Sequence, residues 1–291
     1  MAKPRAILKR RKSIQNIAKI TKTMQMIARA KFKKTFDRAV AARPYTDRLT
    51  ALVAELSRAA GEGFTHPLLE EREAGDRIGL LAIASNRGLC GGYNSGVSRV
   101  TVEALGEARG AGRQVDLVVA GRRLASYLRT GGHAIDAVHT NFDDKPTMAE
   151  VEAAVLPLVE AYAAGRTSEV LVAYTRFESA SRQFPVVERV LPFPVPGAKA
   201  GEEGVGRDWI FDPSPAAILT DLIPRAVRLK FFQSFLDASV AEQVARMTAM
   251  TAATDNAQDM IVSLGRRFNR SRQAQITTEL SEIMGGAAAL E

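Results

Sequence analysis

The residues best suited to chemistry lie in the turn Asn86-Arg87-Gly88-Leu89-Cys90-Gly91-Gly92-Tyr93-Asn94. The turn follows an apolar run, Ile78–Ser85, and opens a helical stretch, the place where a nucleotide fold puts its phosphate loop. Arg122 and Arg123 follow a second apolar run, where an enzyme using a phosphorylated nicotinamide cofactor can place arginines. The glycine spacing, however, is G-x-x-G-G, which fits neither G-x-G-x-x-G nor G-x-x-x-x-G-K-[ST]. A tight turn and close packing account for these glycines better than a nucleotide does. Cys90 is the only cysteine, so an internal disulfide is excluded. A helix start can activate a thiol, but no histidine or second cysteine accompanies it, and a buried small side chain is the expected role. His66, His133 and His139 are scattered without metal-ligand spacing. No cofactor, metal or catalytic group is expected of this chain.

Charge is a second possible source of function, and its average misleads. The net charge is +8 over 291 residues. Residues 1–60 hold 16 Lys and Arg against 3 Asp and Glu, residues 61–212 hold 16 against 21, and residues 213–291 hold 8 against 8. Twelve basic residues, among them Lys9, Arg10 and Lys22, precede the first acid, Asp37. Such a stretch suits nucleic acid, a mitochondrial targeting signal or an acidic protein surface. No aromatic precedes Phe32, which weakens the nucleic-acid reading, and only Ser13 supplies the serine that targeting segments favour.

The elements that must position these residues come in three blocks. Residues 4–60 read as helix, opened by Pro4 and stopped by Gly61 and Gly63, with Pro44 bending it without ending it. Its apolar or small residues Ile7, Ile14, Ile17, Thr21, Met24 and Ala28 form a heptad seam. Residues 76–193 alternate strands and helices. Strands are expected at Ile78–Ser85, Val115–Ala120, 134–139 and Glu169–Tyr174, with an edge strand at Gln183–Leu191. Helices are expected near 94–112, 121–130 and 147–164, and Pro192–Arg207 reads as loop. This series marks an open, mainly parallel sheet. Residues 213–291 return to helix, with Asp212 and Ser214 as cap candidates and Pro224 as a kink or restart. A second seam runs Val240, Val244, Met247, Thr251, Thr254, Ala257, Ile261, Leu264, Phe268 and continues less regularly through Ile276, Leu280 and Ile283. Two narrow seams at opposite ends of the chain are most simply buried against each other. The expected fold class is therefore α/β: a long antiparallel coiled coil of N- and C-terminal helices, 1–60 and 213–291, plus a Rossmann-like α/β domain over 76–207.

The end of the last helix is the most specific stretch. It runs Arg272-Gln273-Ala274-Gln275-Ile276-Thr277-Thr278-Glu279-Leu280-Ser281-Glu282-Ile283-Met284-Gly285-Gly286-Ala287, with an apolar tip to Leu290. Polar residues interrupting a seam just before a small apolar tip are odd for a solvated helix; a tip held in an apolar socket explains both. No run approaches 18 consecutive apolar residues, which excludes a transmembrane helix.

These segments resemble the gamma subunit of F-type proton-translocating ATP synthases. The resemblance is carried by Ser13–Lys31, the turn Asn86–Asn94, Ala245–Asn256 and Arg272–Ala287, and with the domain order it covers essentially the whole chain. One departure is Asn86, where the family's turn usually has Asp. The resemblance implies a non-catalytic central-stalk rotor, coupling proton-driven rotation of a membrane c-ring to ATP synthesis or hydrolysis in a hexamer of alpha and beta subunits. Its expected partners are alpha, beta, the epsilon subunit and the c-ring, at the cytoplasmic face of a bacterial inner membrane. Lys9, Arg10, Lys22 and Met24 are implied near an acidic loop of beta. Arg246, Gln273, Thr277 and Glu279 match the upper contacts with beta, and Gly285, Gly286, Ala287 and Leu290 the bearing tip. Plastid members carry an inserted cysteine pair for redox control; this chain has no counterpart. The alternative reading is a nucleic-acid-binding coiled coil built on the basic helix.

Overall fold

Pro4 begins a helix because its missing N–H is one that a first turn leaves unpaired anyway. That helix, α1, runs Pro4–Ala60 and ends where Gly61 takes a φ of 75°, a left-handed conformation open to glycine. Pro44 sits inside it on the exposed side, so the carbonyl it leaves unpaired faces water. The computed structural model describes residues 4–61, 63–72, 75–142, 145–194, 212 and 214–288. The rest of the expected loop Pro192–Arg207, from residue 195 onward, and the tip residue Leu290 lie outside these described residues.

The middle block folds as the period-2 and period-3.6 patterns require. In order come β1 (Arg77–Ile83), α2 (Tyr93–Gly110), β2 (Gln114–Ala120), α3 (Arg122–Thr130), β3 (Ala137–His139), α4 (Met148–Ala163), β4 (Val170–Phe177) and β5 (Gln183–Leu191). The sheet order is β3-β2-β1-β4-β5, parallel throughout except for the antiparallel edge strand β5. β1 ends two residues short of the expected Ser85, because the Ser85 N–H and hydroxyl both donate to Asn94 Oδ1, at 3.1 and 2.9 Å. β3 is only three residues long, shorter than the expected 134–139; just before it the Asp136 N–H donates to the Leu117 carbonyl at 2.9 Å, and its carboxylate accepts the Leu117 N–H at 2.7 Å. α4 starts at a capping box: the Thr147 N–H donates to Glu150 at 2.8 Å, and the Glu150 N–H to the Thr147 hydroxyl at 3.3 Å.

The last helix, α5, spans Pro215–Ala288 without interruption. Ser214 caps it by accepting the Ala217 N–H at 3.2 Å, and Pro224 lies inside the helix, neither restarting nor ending it.

The chain divides into two compact units. One comprises residues 1–29 and 246–291; the other comprises residues 30–245. In the larger unit the two faces of β1 sort by alternation. Leu80 and Ala82 pack with Val97 and Leu105 of α2 and Leu124 and Leu128 of α3. Leu81 and Ile83 face Val155 and Tyr162 of α4, joined there by Val53 of α1 and by Leu219, Ile223 and Phe231 of α5. The long helices therefore cover one side of the sheet, as crossover helices do in other parallel sheets.

Candidate functional site

The glycine-rich turn is wired to itself and to its neighbours. Asn94 Nδ2 donates to Cys90 Sγ at 3.2 Å, and Cys90 is buried. Asn86 joins three segments at once. Its Nδ2 donates to the carbonyls of Thr140, at 3.0 Å, and Phe142, at 2.7 Å, while its Oδ1 accepts the Arg122 N–H at 3.0 Å. Gly121, the residue before α3, has no side chain to cap it, so Asn86 caps this helix start from across the turn. A carboxylate at position 86 could accept the Arg122 N–H but could not donate to the two carbonyls, so the amide fits this site for a definite reason.

Beyond itself the turn grips a helix. The Tyr93 hydroxyl donates to the Ala238 carbonyl of α5 at 3.1 Å, and Cys90 and Tyr93 pack on Ala241 and Ala245. Small residues on α5 let the turn come close. A surface cleft of about 860 Å³ opens beside the turn, lined in part by Leu89, Asn94, Arg99 and Arg123. Two of the turn's side chains, Cys90 and Tyr93, nevertheless point into this docking contact, and their chemistry is that of a joint. Among the described residues no group of His, Cys, Asp and Glu is placed to hold a metal ion.

The smaller unit holds the other expected site residues. Its helices pair antiparallel, since Thr254 donates to the Thr21 hydroxyl at 2.8 Å and Gln25 Nε2 to the Thr251 hydroxyl at 2.7 Å. The buried side of α1 is Ile7, Arg11, Ile14, Ala18, Thr21, Gln25 and Ala28, at alternating steps of 4 and 3. Here the structure corrects the expected seam. Ile17 and Met24 lie outside it, 46% and 36% exposed, and Ala18 and Gln25 take the inward positions. Two stripes with the same period run along this helix, and over Ala18–Ala28 the small, polar one faces inward because short side chains let the helices approach and the Thr21 hydroxyl and Gln25 amide find partners across the seam. The large one, Ile17, Ile20, Met24 and Ile27, is left outside. At about 100° per residue, Arg5, Lys12, Lys19 and Lys22 fall on the opposite flank.

On α5 the inward positions follow the expected seam as far as Leu264 and Phe268, then pass to Ser271 and Ala274. Ile276, Leu280 and Ile283 do not continue it; all three are exposed. They lie on another face of the helix: at about 100° per residue each falls more than about 100° away from the mean direction of Leu264, Phe268, Ser271 and Ala274. Lys9, Arg10, Lys22, Gln273, Thr277, Glu279 and Gly285 are exposed, and Arg246 is half-buried. Gly286 and Ala287 belong to the helix. Thr277 donates to the Gln273 carbonyl at 3.0 Å, and Glu279 accepts from Gln275 at 2.7 Å. The basic flank would suit a nucleic-acid backbone, but the apolar flank beside the seam would not. The outward apolar stripe is what sequence reasoning missed, and its signal was there: Ile20 and Ile27 repeat at the same period as the seam.

A family model described as ATP synthase matches residues 3–290. The chain is 42% identical over 296 residues to an ATP synthase gamma chain of Rhodopirellula baltica, with all of both chains covered. It is 38% identical to the ATP synthase gamma chain of an Azoarcus species and of Desulfitobacterium hafniense, again over the full length of both. Among solved structures it resembles a chain of the Euglena gracilis mitochondrial ATP synthase, in an assembly of OSCP, F1 and c-ring. The TM-score is 0.69 and the identity 18%, covering 99% of this chain and 94% of that one. A central-stalk chain of the Tetrahymena thermophila mitochondrial enzyme gives a TM-score of 0.57 at 21% identity, covering 80% and 99%. At such identities the two structures speak for the fold.

Proposed function

The chain belongs to the gamma-chain family of ATP synthases, and from that premise we propose how its surfaces divide the work of a central-stalk rotor. The observation that carries the reading is the inverted pattern of the smaller unit. Thr21, Gln25, Thr251 and Thr254 bond across the seam, while Ile17, Ile20, Met24 and Ile27 on α1 and Ile276, Leu280 and Ile283 on α5 face outward. A solitary pair of helices in water would be more stable with those stripes exchanged. Helices surrounded by other subunits present the outer stripe to them.

In this reading alpha and beta subunits enclose the pair. Lys9, Arg10 and Lys22 lie toward acidic loops of beta, with Met24 beside them. Arg246, Gln273, Thr277 and Glu279 make the upper polar contacts, and residues from Gly285 onward turn in an apolar bearing. The α/β unit grips the c-ring together with an epsilon subunit, which makes the chain a peripheral part of a membrane complex on its cytoplasmic side. No helix of the described residues is long and apolar enough to cross a membrane itself. ATP chemistry belongs to the partners. As the rotor turns, each catalytic site meets a different flank, basic, apolar or seam edge, and differential contact energy biases it among its states. Contacts that bias and then release suit exposed charges and single hydrogen bonds.

The test is reconstitution of the full chain with alpha and beta subunits. Co-purification with restored ATP hydrolysis is expected, and failure to assemble overturns the reading. In the same assay Gln273→Leu with Thr277→Val should lower assembly or turnover by roughly tenfold, the loss of one to two polar contacts. Unchanged behaviour of the double variant moves the upper contact elsewhere.

A further inference from the structure

Helix α5 carries Lys230, Gln233 and Asp237 at steps of 3 and 4, which puts three polar residues on one face among Phe231, Phe235 and Ala238 of the core. Asp237 is buried. Its Oδ1 accepts from Arg43 Nη2 of α1 at 3.1 Å and from Gln233 Nε2 at 2.8 Å. The same Arg43 nitrogen donates to the Phe177 carbonyl of β4 at 3.0 Å. Two turns earlier, Lys230 Nζ lies 2.8 Å from Glu188 Oε1 on β5. Glu188 Oε2 in turn accepts from the Tyr174 hydroxyl at 2.8 Å and from Arg176 Nη2 at 2.7 Å, both on β4. Two carboxylates thus tie both long helices to the last two strands.

Stability alone does not call for this arrangement. Burying charges costs hydration, and apolar residues of similar volume often hold a core as well or better. Gln233 Oε1 is buried without a partner, and burial holds the Asp237 carboxyl above its ordinary range despite the bonds from Gln233 and Arg43. What directed bonds add is resistance to sliding. Apolar contact follows area and has no direction, whereas charge-assisted hydrogen bonds weaken steeply with distance and angle.

We infer that the Arg43–Asp237 and Lys230–Glu188 pairs are a shear-resisting joint, through which turning force crosses between α1 and α5 and the sheet. The inference rests on the rotor reading, in which the helices bear on the hexamer and the sheet domain on the c-ring. These are positioning residues; they touch no nucleotide.

The test uses the complete complex in membrane vesicles, with the wild-type chain, Asp237→Asn, Glu188→Gln, the two combined, or Arg43→Lys. ATP hydrolysis is measured with the proton gradient collapsed, and ATP-driven acidification against a growing gradient. The combined variant should keep unloaded hydrolysis while acidification per ATP falls by about twofold or more at high gradient, with single variants in between. Arg43→Lys keeps the charge, but its side chain is shorter than the arginine whose Nη2 reaches both Asp237 and the Phe177 carbonyl, so it should behave like Asp237→Asn. A purely structural role would lower the yield of assembled complex and both rates together at every gradient. That outcome, or an unchanged ratio in the combined variant and in Arg43→Lys, overturns the joint. If complexes with the wild-type chain hydrolyse ATP but never acidify, the rotor reading fails first and takes the joint with it.

Discussion

The larger unit buries Leu80, Leu81, Val118 and Phe231 at its centre, while the smaller one turns Ala18, Thr21, Gln25 and Ala28 inward and leaves Ile17, Ile20 and Ile27 outside. In the first, the chain supplies both sides of its own core. In the second, on the rotor reading proposed above, the chain is half of an interface whose other half is other molecules. A folded monomer scatters single apolar residues on its surface, but a periodic stripe along a helix marks contact with a partner. The same helix α1 serves both purposes, for Val53 is fully buried in the larger unit and Ile20 is 56% exposed in the smaller.

The contrast can be broken or sharpened by measurement. The largest effect is expected at Gly121, whose φ of 124° belongs to glycine and whose added Cβ would stand 2.3 Å from the Ala84 carbonyl oxygen. Gly121→Ala should cost about 4 kcal/mol through strain and overpacking together, read as a lower urea midpoint of the full chain. A loss below the error of the measurement would mean that the α3 start relaxes freely. Next comes a matched pair. Leu80→Ala should cost about 3 kcal/mol, whereas Ile20→Ala should change stability by no more than ~0.5 kcal/mol and instead weaken assembly with alpha and beta subunits. Equal losses of stability would erase the distinction between the two units.

The smallest effect is a pH dependence inside the larger unit. Burial alone would push the Glu188 carboxyl up, but bonds from Lys230, Tyr174 and Arg176 outweigh it and hold the group below its ordinary value of 4.5. A carboxyl lowered on folding stabilises above its unfolded value, and that stabilisation is lost as pH falls through the lower folded one. The urea midpoint of the wild type should therefore drop more steeply than that of Glu188→Gln as pH falls below about 4.5. Parallel curves would show that the bonds to Glu188 contribute nothing net. Asp237 works in the opposite sense, since its raised carboxyl makes the charged form the costly one.

Much of this was legible in the sequence. The run Ile78–Ser85 announces a strand buried on both faces, and β1 lies at the centre of the sheet. The switch to helical period near Asp212 announces α5, and the spacing G-x-x-G-G discounts a nucleotide loop at a turn that instead docks Tyr93 on Ala238. The inward face of α1 was not legible. Ile17 and Met24 share the period of Ala18 and Gln25, and hydrophobicity favours the wrong stripe. The Arg43–Asp237 pair was invisible for a related reason, since 194 residues separate its members.

Local preference and pattern determined which segments are helix and which are strand, and that the two ends of the chain carry helical seams. These follow from dihedral propensity, caps and periodicity, all of which act within a few residues. The tertiary structure alone decided which stripe turns inward and which polar groups meet. Those choices depend on what the chain brings alongside from far away in sequence, and in the smaller unit they left Ile17, Ile20, Met24 and Ile27 facing out.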